Sequence, residues 1–157
     1  MTPMPAMEAI VTRILSARRT RLIGSKPMFE RYRAATQQDL SELEQRLGCP
    51  LPESLRAWLL QVGFGDINEE LSLRSEWFDI IDRGQLKGHV IFAQDDLGNF
   101  YSLSPTDGRV HHICRSAPEC AFMGRDFMDF LEELERRAFH VGEWASSLKK
   151  SSYDWSA

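Results

Sequence analysis

The feature that most constrains this chain is a change of hydrophobic period, made twice. Between residues 36 and 62, apolar side chains recur at helical spacing: Leu40, Leu43 and Leu47, then Leu55, Trp58, Leu59 and Val62. Between 89 and 114 the pattern becomes short β-branched and aromatic runs (89–94, 99–103 and 109–114) divided by turn residues. Helical spacing then returns with Phe127, Phe130, Leu131, Leu134 and Ala138. A helix carries one apolar stripe and a half-buried strand one apolar face, and each must bury it against another element. Helices, a meander and a further helix in one short chain therefore predict an α+β domain: an antiparallel sheet flanked by α-helices.

Local signals divide these regions into elements. Thr36 with Asp39 has the spacing of a capping box, and Gly48 suits the left-handed stop of the helix that follows. Pro52 suits the first turn of the next helix, which Gly63 and Gly65 end. Asp95-Asp96-Leu97-Gly98 and Ser104-Pro105-Thr106-Asp107-Gly108 carry turn chemistry of hairpin length. Residues 77–81 read as a further short strand. Asp126, followed by Asp129, caps the last clear helix. At the N-terminus, Met7, Ile10, Val11, Ile14, Leu15 and Leu22 predict an amphipathic helix over about residues 6–23, stopped by Gly24. Its apolar face would suit a homodimer contact. The tail from Gly142 is weakly patterned, with Trp144, Tyr153 and Trp155 as docking residues. The expected organisation is a helical extension over 1–33, a central domain over 34–140 and a tail over 141–157.

Composition excludes several functional classes. With 157 residues, 43% of them hydrophobic, the chain can bury one core without staples. Cys49, Cys114 and Cys120 are odd in number and form no C-x-x-C pair, which fits a reducing cytoplasm. No apolar run approaches the roughly 20 residues of a membrane span, and arginines interrupt the start of the chain where a signal peptide would be apolar. The net charge of −4 argues against nucleic-acid binding. Charge is unevenly placed, however. Residues 13–33 are rich in Arg and Lys, whereas Asp66, Glu69, Glu70, Glu76, Asp95 and Asp96 make the middle of the chain acidic.

No catalytic constellation emerges. Asp95-Asp96-Leu97-Gly98-Asn99 opens like a calcium loop, but the twelfth position is Thr106 where an EF-hand needs glutamate. His111 and His112 are adjacent on a strand and point to opposite faces, so they do not easily share an ion. His112 and Cys114 share a face, yet with Cys120 they reproduce no zinc spacing. No nucleophile elbow, P-loop or dinucleotide fingerprint is present. The expectation is a non-enzyme with no cofactor and no metal.

Three segments, in this order, carry a resemblance: "ATQQDLSELEQRLGCPLPESLRAWLLQVGFG", "VIFAQDDLGNFYSL", and "DFMDFLEEL" after "GRVHHI". Together they resemble the SUKH superfamily over about residues 34–138. Its founding members are fungal Smi/Knr cell-wall regulators, and most members are bacterial immunity proteins. The resemblance implies a sheet flanked by helices, with Leu51, Pro52, Leu55, Leu59, Phe92, Gly98, Phe130 and Leu131 as fold-defining positions. It also implies direct binding of a cognate secreted toxin, often a nuclease or deaminase, with a Smi/Knr-type regulatory interaction module as the alternative. The acidic residues would then face a basic toxin cleft, with Phe64, expected in a loop, and Trp77 as aromatic anchors. The partner is a protein, with no direct nucleic-acid or membrane contact.

Overall fold

A computed structural model describes residues 5–156. It is an α+β fold in which one antiparallel nine-stranded sheet is packed against helices. Helix α1 (Pro5–Ser16) leads into a separate two-stranded hairpin, β1 (Arg18–Thr20) and β2 (Ser25–Pro27). Strand β3 (Phe29–Arg33) starts the main sheet. Helices α2 (Gln37–Leu47) and α3 (Glu53–Val62) follow, then β4 (Phe64–Ile67) and β5 (Leu71–Leu73). A 3-10 turn (Ser75–Trp77) and β6 (Asp79–Ile80) precede the meander β7 (Val90–Asp95), β8 (Phe100–Leu103), β9 (Val110–Ile113) and β10 (Glu119–Gly124). Helices α4 (Phe127–Arg136) and α5 (Val141–Ser147) and the short edge strand β11 (Ser151–Ser152) complete the chain. The strand order is β11-β10-β9-β8-β7-β5-β4-β3, with β6 also pairing β7.

The locally encoded elements form as their residues dictate. Thr36 accepts from the Asp39 amide, and the Asp39 carboxylate accepts from the Thr36 amide, completing the capping box of α2. Gly48 closes that helix at φ 77°, where a side chain would be strained. The Asp126 side chain accepts from the Asp129 amide at the start of α4. The β7–β8–β9 meander stands where turn chemistry placed it, and β10 extends it.

Several sequence expectations are corrected. The N-terminal helix ends at Ser16, not near residue 23, because the chain there turns into the β1–β2 hairpin. Gly24, at φ 73°, serves the hairpin turn and does not stop a helix. Helix α1 spends Met7, Ile10, Val11 and Ile14 inside the main hydrophobic cluster, packed against α3 and α4, so that apolar face is not available for the homodimer contact expected of it. The strand expected at 77–81 is the 3-10 turn followed by only two strand residues. The weakly patterned tail forms α5 and β11, while Trp144 and Tyr153 dock as expected and are buried, and Gln85 bonds to the chain at Ser152 and Asp154.

The main core lies between the helices and the inner face of the sheet. Trp58 meets Phe29 and Phe127 edge-on, each at 6.2 Å, and Phe92 meets Phe127 and Phe130 at 5.5 and 5.8 Å. Phe130 stacks on Trp144 at 5.3 Å, which ties α5 to α4. Leu51, Leu55, Leu59, Phe92, Phe130 and Leu131 are all core residues. Pro52 stands at the N-cap of α3 and Gly98 in the β7–β8 turn at φ 84°. Among the described residues no helix is long and apolar enough to cross a membrane.

Candidate partner-binding surface

The acidic residues singled out in the sequence do not form one surface. They divide between the two ends of β5, and their neighbours decide which of them keep an unopposed charge. Phe64, Asp66, Glu76 and Trp77 belong to the β3–β4–β5 side. Phe64 lies in β4, not in a loop, and is 2% exposed against Phe78, with the Arg33 guanidinium over its ring at 4.9 Å. It is therefore not an exposed anchor. Asp66 accepts hydrogen bonds from Tyr32 and Ser72. Arg74 lies between the rings of Tyr32 and Trp77, at 4.1 and 4.7 Å, a cation–π sandwich. Glu76 shares a cleft with Arg33 and Arg46. This end is mixed in charge, and its aromatic groups are already engaged.

Glu69 and Glu70 occupy the β4–β5 turn, where Asn68 and Glu69 adopt left-handed backbone angles (φ 55° and 56°) despite carrying side chains. Glu69 bridges Arg19 at 2.8 Å and Lys26 at 2.7 Å, both on the β1–β2 hairpin. Those two cations, Lys26 first, lower its pKa to about 2. Its charge is thus matched within the molecule. Glu70 turns the other way. One carboxylate oxygen accepts from the Gly142 amide at 3.1 Å, and the other meets Asn68 Nδ2 at 2.8 Å and His140 Nδ1 at 3.1 Å. Asn68 also donates to the Phe139 carbonyl at 3.0 Å. Ala138 and Phe139 are left-handed too (φ 54° and 63°). Two turns that cost conformational energy are thus fastened to each other, which fixes α5 beside the β7–β8 turn.

Between them runs a groove of about 580 Å³ bordered by Glu70, Asp96, Leu97, Glu143 and the serines of α5. No lysine or arginine is among its lining residues. Leu97 is 77% exposed there, an apolar ledge among carboxylates. Burial, and then the neighbouring charges of Asp95 and Glu70, push the Asp96 pKa upward. Glu143 has no counterpart in the sequence reading. It lies in the weakly patterned tail, and only the folding of α5 brings it beside Asp96.

Asp95 is not a surface group. Its side chain is 2% exposed. One oxygen accepts from the amides of Leu97 (3.0 Å) and Asn99 (2.9 Å), the other from the Tyr101 hydroxyl (2.9 Å) and Asn99 Nδ2 (3.3 Å). It locks the β7–β8 turn that presents Asp96 and Leu97. His112 lies 4.0 Å away, buried, with neither ring nitrogen hydrogen-bonded, and burial lowers its pKa. His112, Asp95 and Cys114 line a cavity of about 130 Å³ beneath α5, which shares Leu97, Gly142 and Ser146 with the groove. Among the described residues no three His, Cys, Asp or Glu side chains converge to hold a metal.

The model of the SMI1/KNR4 family (SUKH-1) matches residues 34–133, from the start of α2 into α4. No curated protein and no solved structure matches the chain. The match takes in the capped α2, the Leu51–Pro52 corner, the meander and the Phe130–Leu131 stripe, which supply much of the core. It leaves out α1, the basic hairpin and α5, which supply Arg19, Lys26 and Glu143 to the surfaces described above. The chain belongs to the SMI1/KNR4 family (SUKH-1).

Proposed function

We propose that this chain is an immunity protein that binds and neutralises a secreted bacterial toxin acting in the cytoplasm, a nuclease or another nucleic-acid-directed toxin, without catalysing a reaction. The observation that carries this reading is the groove between the β7–β8 turn and α5. Glu70, Asp96 and Glu143 border it, no cation lines it, and Leu97 projects beside them. A protein that handles nucleic acid carries a basic cleft for the phosphates. An acidic groove is steered toward such a cleft, and an apolar ledge within it gives the short-range contact that slows dissociation. Membership of a family rich in immunity proteins supports the same reading. A Smi/Knr-type regulatory module is the second reading; it would bind a partner without blocking an active site.

Co-expression separates the two. The protein encoded beside this chain is produced with tagged chain, and both toxicity and complex formation are measured. A stable complex that abolishes toxicity is expected. Asp96→Lys with Glu143→Lys should weaken that complex at least tenfold and flatten its salt dependence. Because the Asp96 pKa is raised, binding should also weaken as pH falls through its titration range, where the carboxylate charge is lost. A non-toxic neighbour, or full neutralisation by the double variant, would remove the assignment.

A further inference from the structure

The tip of the β1–β2 hairpin is built against the usual chemistry of turns. Turn tips favour Gly, Asn, Asp and Ser. Here Arg21-Leu22-Ile23-Gly24 places two large apolar side chains outward, with Leu22 107% and Ile23 92% exposed. Arg18 and Arg21 flank them and are exposed as well. The result is an apolar point inside a basic collar.

The hairpin is also held in place. Arg19 and Lys26 both reach Glu69, the Met28 amide donates to the Ala17 carbonyl at 2.9 Å, and the Asn68 amide donates to the Met28 carbonyl at 2.8 Å. The clamp residue Glu69 is immediately followed by Glu70, which borders the acidic groove, and the Asp96 amide donates to the Glu70 carbonyl at 2.9 Å. The molecule therefore carries two complementary features on either side of one turn. One is a basic tip ending in Leu22 and Ile23, and the other an acidic groove with Leu97 exposed along it. The exposure of the tip shows that it does not fold back into the groove of its own chain.

Adjacent complementary patches are what a two-fold axis can satisfy, since one rotation brings each patch onto the other's mate and makes the contact twice. We infer that the occupant of this groove is the hairpin tip of a second copy of the chain, in a two-fold dimer. Arg21, Leu22 and Ile23 of each copy meet Asp96, Leu97 and Glu143 of the other. Two short tips bury less surface than the roughly 1,200 Å² at the lower end of stable interfaces, so the association is weak and transient. It weakens with salt, because exposed charges contribute to it. The dimer does not depend on the toxin reading, but if that reading holds, dimer and complex exclude each other at the groove.

Sedimentation equilibrium of the full chain from about 10 µM to 1 mM, in 50 and 500 mM salt, tests this. The expected result is a mass that rises with concentration and saturates at two chains, more weakly at high salt. Leu22→Ser with Ile23→Ser should hold the chain monomeric, as should Arg21→Glu or Asp96→Arg alone. An equimolar mixture of the Arg21→Glu and Asp96→Arg chains should recover a two-chain species, because both contacts then pair opposite charges. Circular dichroism of each variant establishes that it is folded. A wild-type chain that stays monomeric at 1 mM in 50 mM salt overturns the inference. Flotation of that monomer on phosphatidylserine vesicles, lost on Leu22→Ser, would assign the tip to an anionic bilayer instead. A dimer that the mixture fails to restore, or that forms without Leu22 and Ile23, places the contact elsewhere and overturns it equally.

Discussion

The two faces of the main sheet are covered by different means. On the inner face the cross-strand row Ala93–Tyr101–His112–Ala121 lies under α4 and α5, and the main core gathers side chains from every helix. On the outer face a single row runs across eight strands: Glu30, Asp66, Ser72, Gln94, Phe100, Ile113, Cys120 and Ser151. Its first half is polar. Its next three positions, Phe100, Ile113 and Cys120, are apolar and, among the described residues, are roofed by no helix, and the edge residue Ser151 is polar again. Ile81 and Leu86 from the 81–88 loop and Tyr153 from the tail cover Ile113 and Cys120 in a small cluster of their own. One face is thus closed by a layer of secondary structure, and the other is patched by loops over its apolar stretch. The patch should behave as a subsidiary unit whose loss costs less than damage to the core.

That contrast can be broken by substitution. Phe130→Ala removes a ring packed against Phe92, Phe127, Tyr101 and Trp144 and should cost about 3–5 kcal/mol in urea unfolding. Tyr153→Ala removes the roof of the outer cluster and its hydrogen bond to the Arg83 carbonyl, and should cost about 2–3 kcal/mol. Equal losses would show that the two clusters are energetically one. Gly84 sharpens the same point. At φ 89° it lies so close to the Tyr153 ring that an added Cβ would stand 2.5 Å from it, so Gly84→Ala should loosen the tail and leave the inner core intact.

Histidine titration separates the faces next. Burial lowers the pKa of His112 on the inner face and of His111 on the outer face. The unfolded chain binds these protons at the ordinary histidine pKa and the folded chain does not. Stability should therefore be full above about pH 6.5 and fall as pH drops toward the folded pKa, by at most about 1.4 kcal/mol per pH unit for each histidine. His112→Gln, at the more deeply buried site, should flatten that slope more than His111→Gln. The opposite order would reverse the assignment of the deeper face.

The smallest effects belong to the surface. Glu69→Gln should leave global stability nearly unchanged while exposing Arg18 and Arg21 to faster trypsin cleavage. With its pKa lowered to about 2, the Glu69 clamp contributes fully above the ordinary glutamate pKa and is lost as pH falls toward 2. Asp96→Asn relieves repulsion from Asp95 and Glu70 and should stabilise by no more than a few tenths of a kcal/mol, because water screens an exposed carboxylate. A destabilised Asp96→Asn chain would show that this carboxylate serves the fold and not a partner.

Much of the helical half was legible in the chain because its determinants are local. The Thr36–Asp39 box, Gly48, Pro52 and the Asp126 cap each act within a few residues, and the turns around Gly98 and Gly108 do the same. Strands β3, β4 and β5 were not legible. Phe-Glu-Arg-Tyr-Arg and Phe-Gly-Asp-Ile carry too few apolar positions to show a period of two, and they become strands only through partners: β3 finds β4 some thirty residues on, and β5 finds β7. The hairpin at 18–27 was hidden for a related reason, since Leu22 falls in register with the helix before it and only strand pairing removes it from that helix.

The candidate surface divides along the same line. Asp96 and Glu70 could be named from charge, whereas Leu97 was legible only as a turn residue and its exposure beside them was not. Sequence could not show that Arg19 and Lys26 neutralise Glu69, that Tyr32 and Ser72 occupy Asp66, that Asp95 turns inward, or that Glu143 joins the groove from α5. By itself the sequence determined helices α2, α3 and α4 with their caps, the meander and the family, because those depend on interactions between near neighbours in the chain. Tertiary structure alone decided which carboxylates remain unopposed and where an apolar tip stands free. A charge is cancelled or left open by groups that approach it through space, and distant strand pairing and helix packing choose those groups.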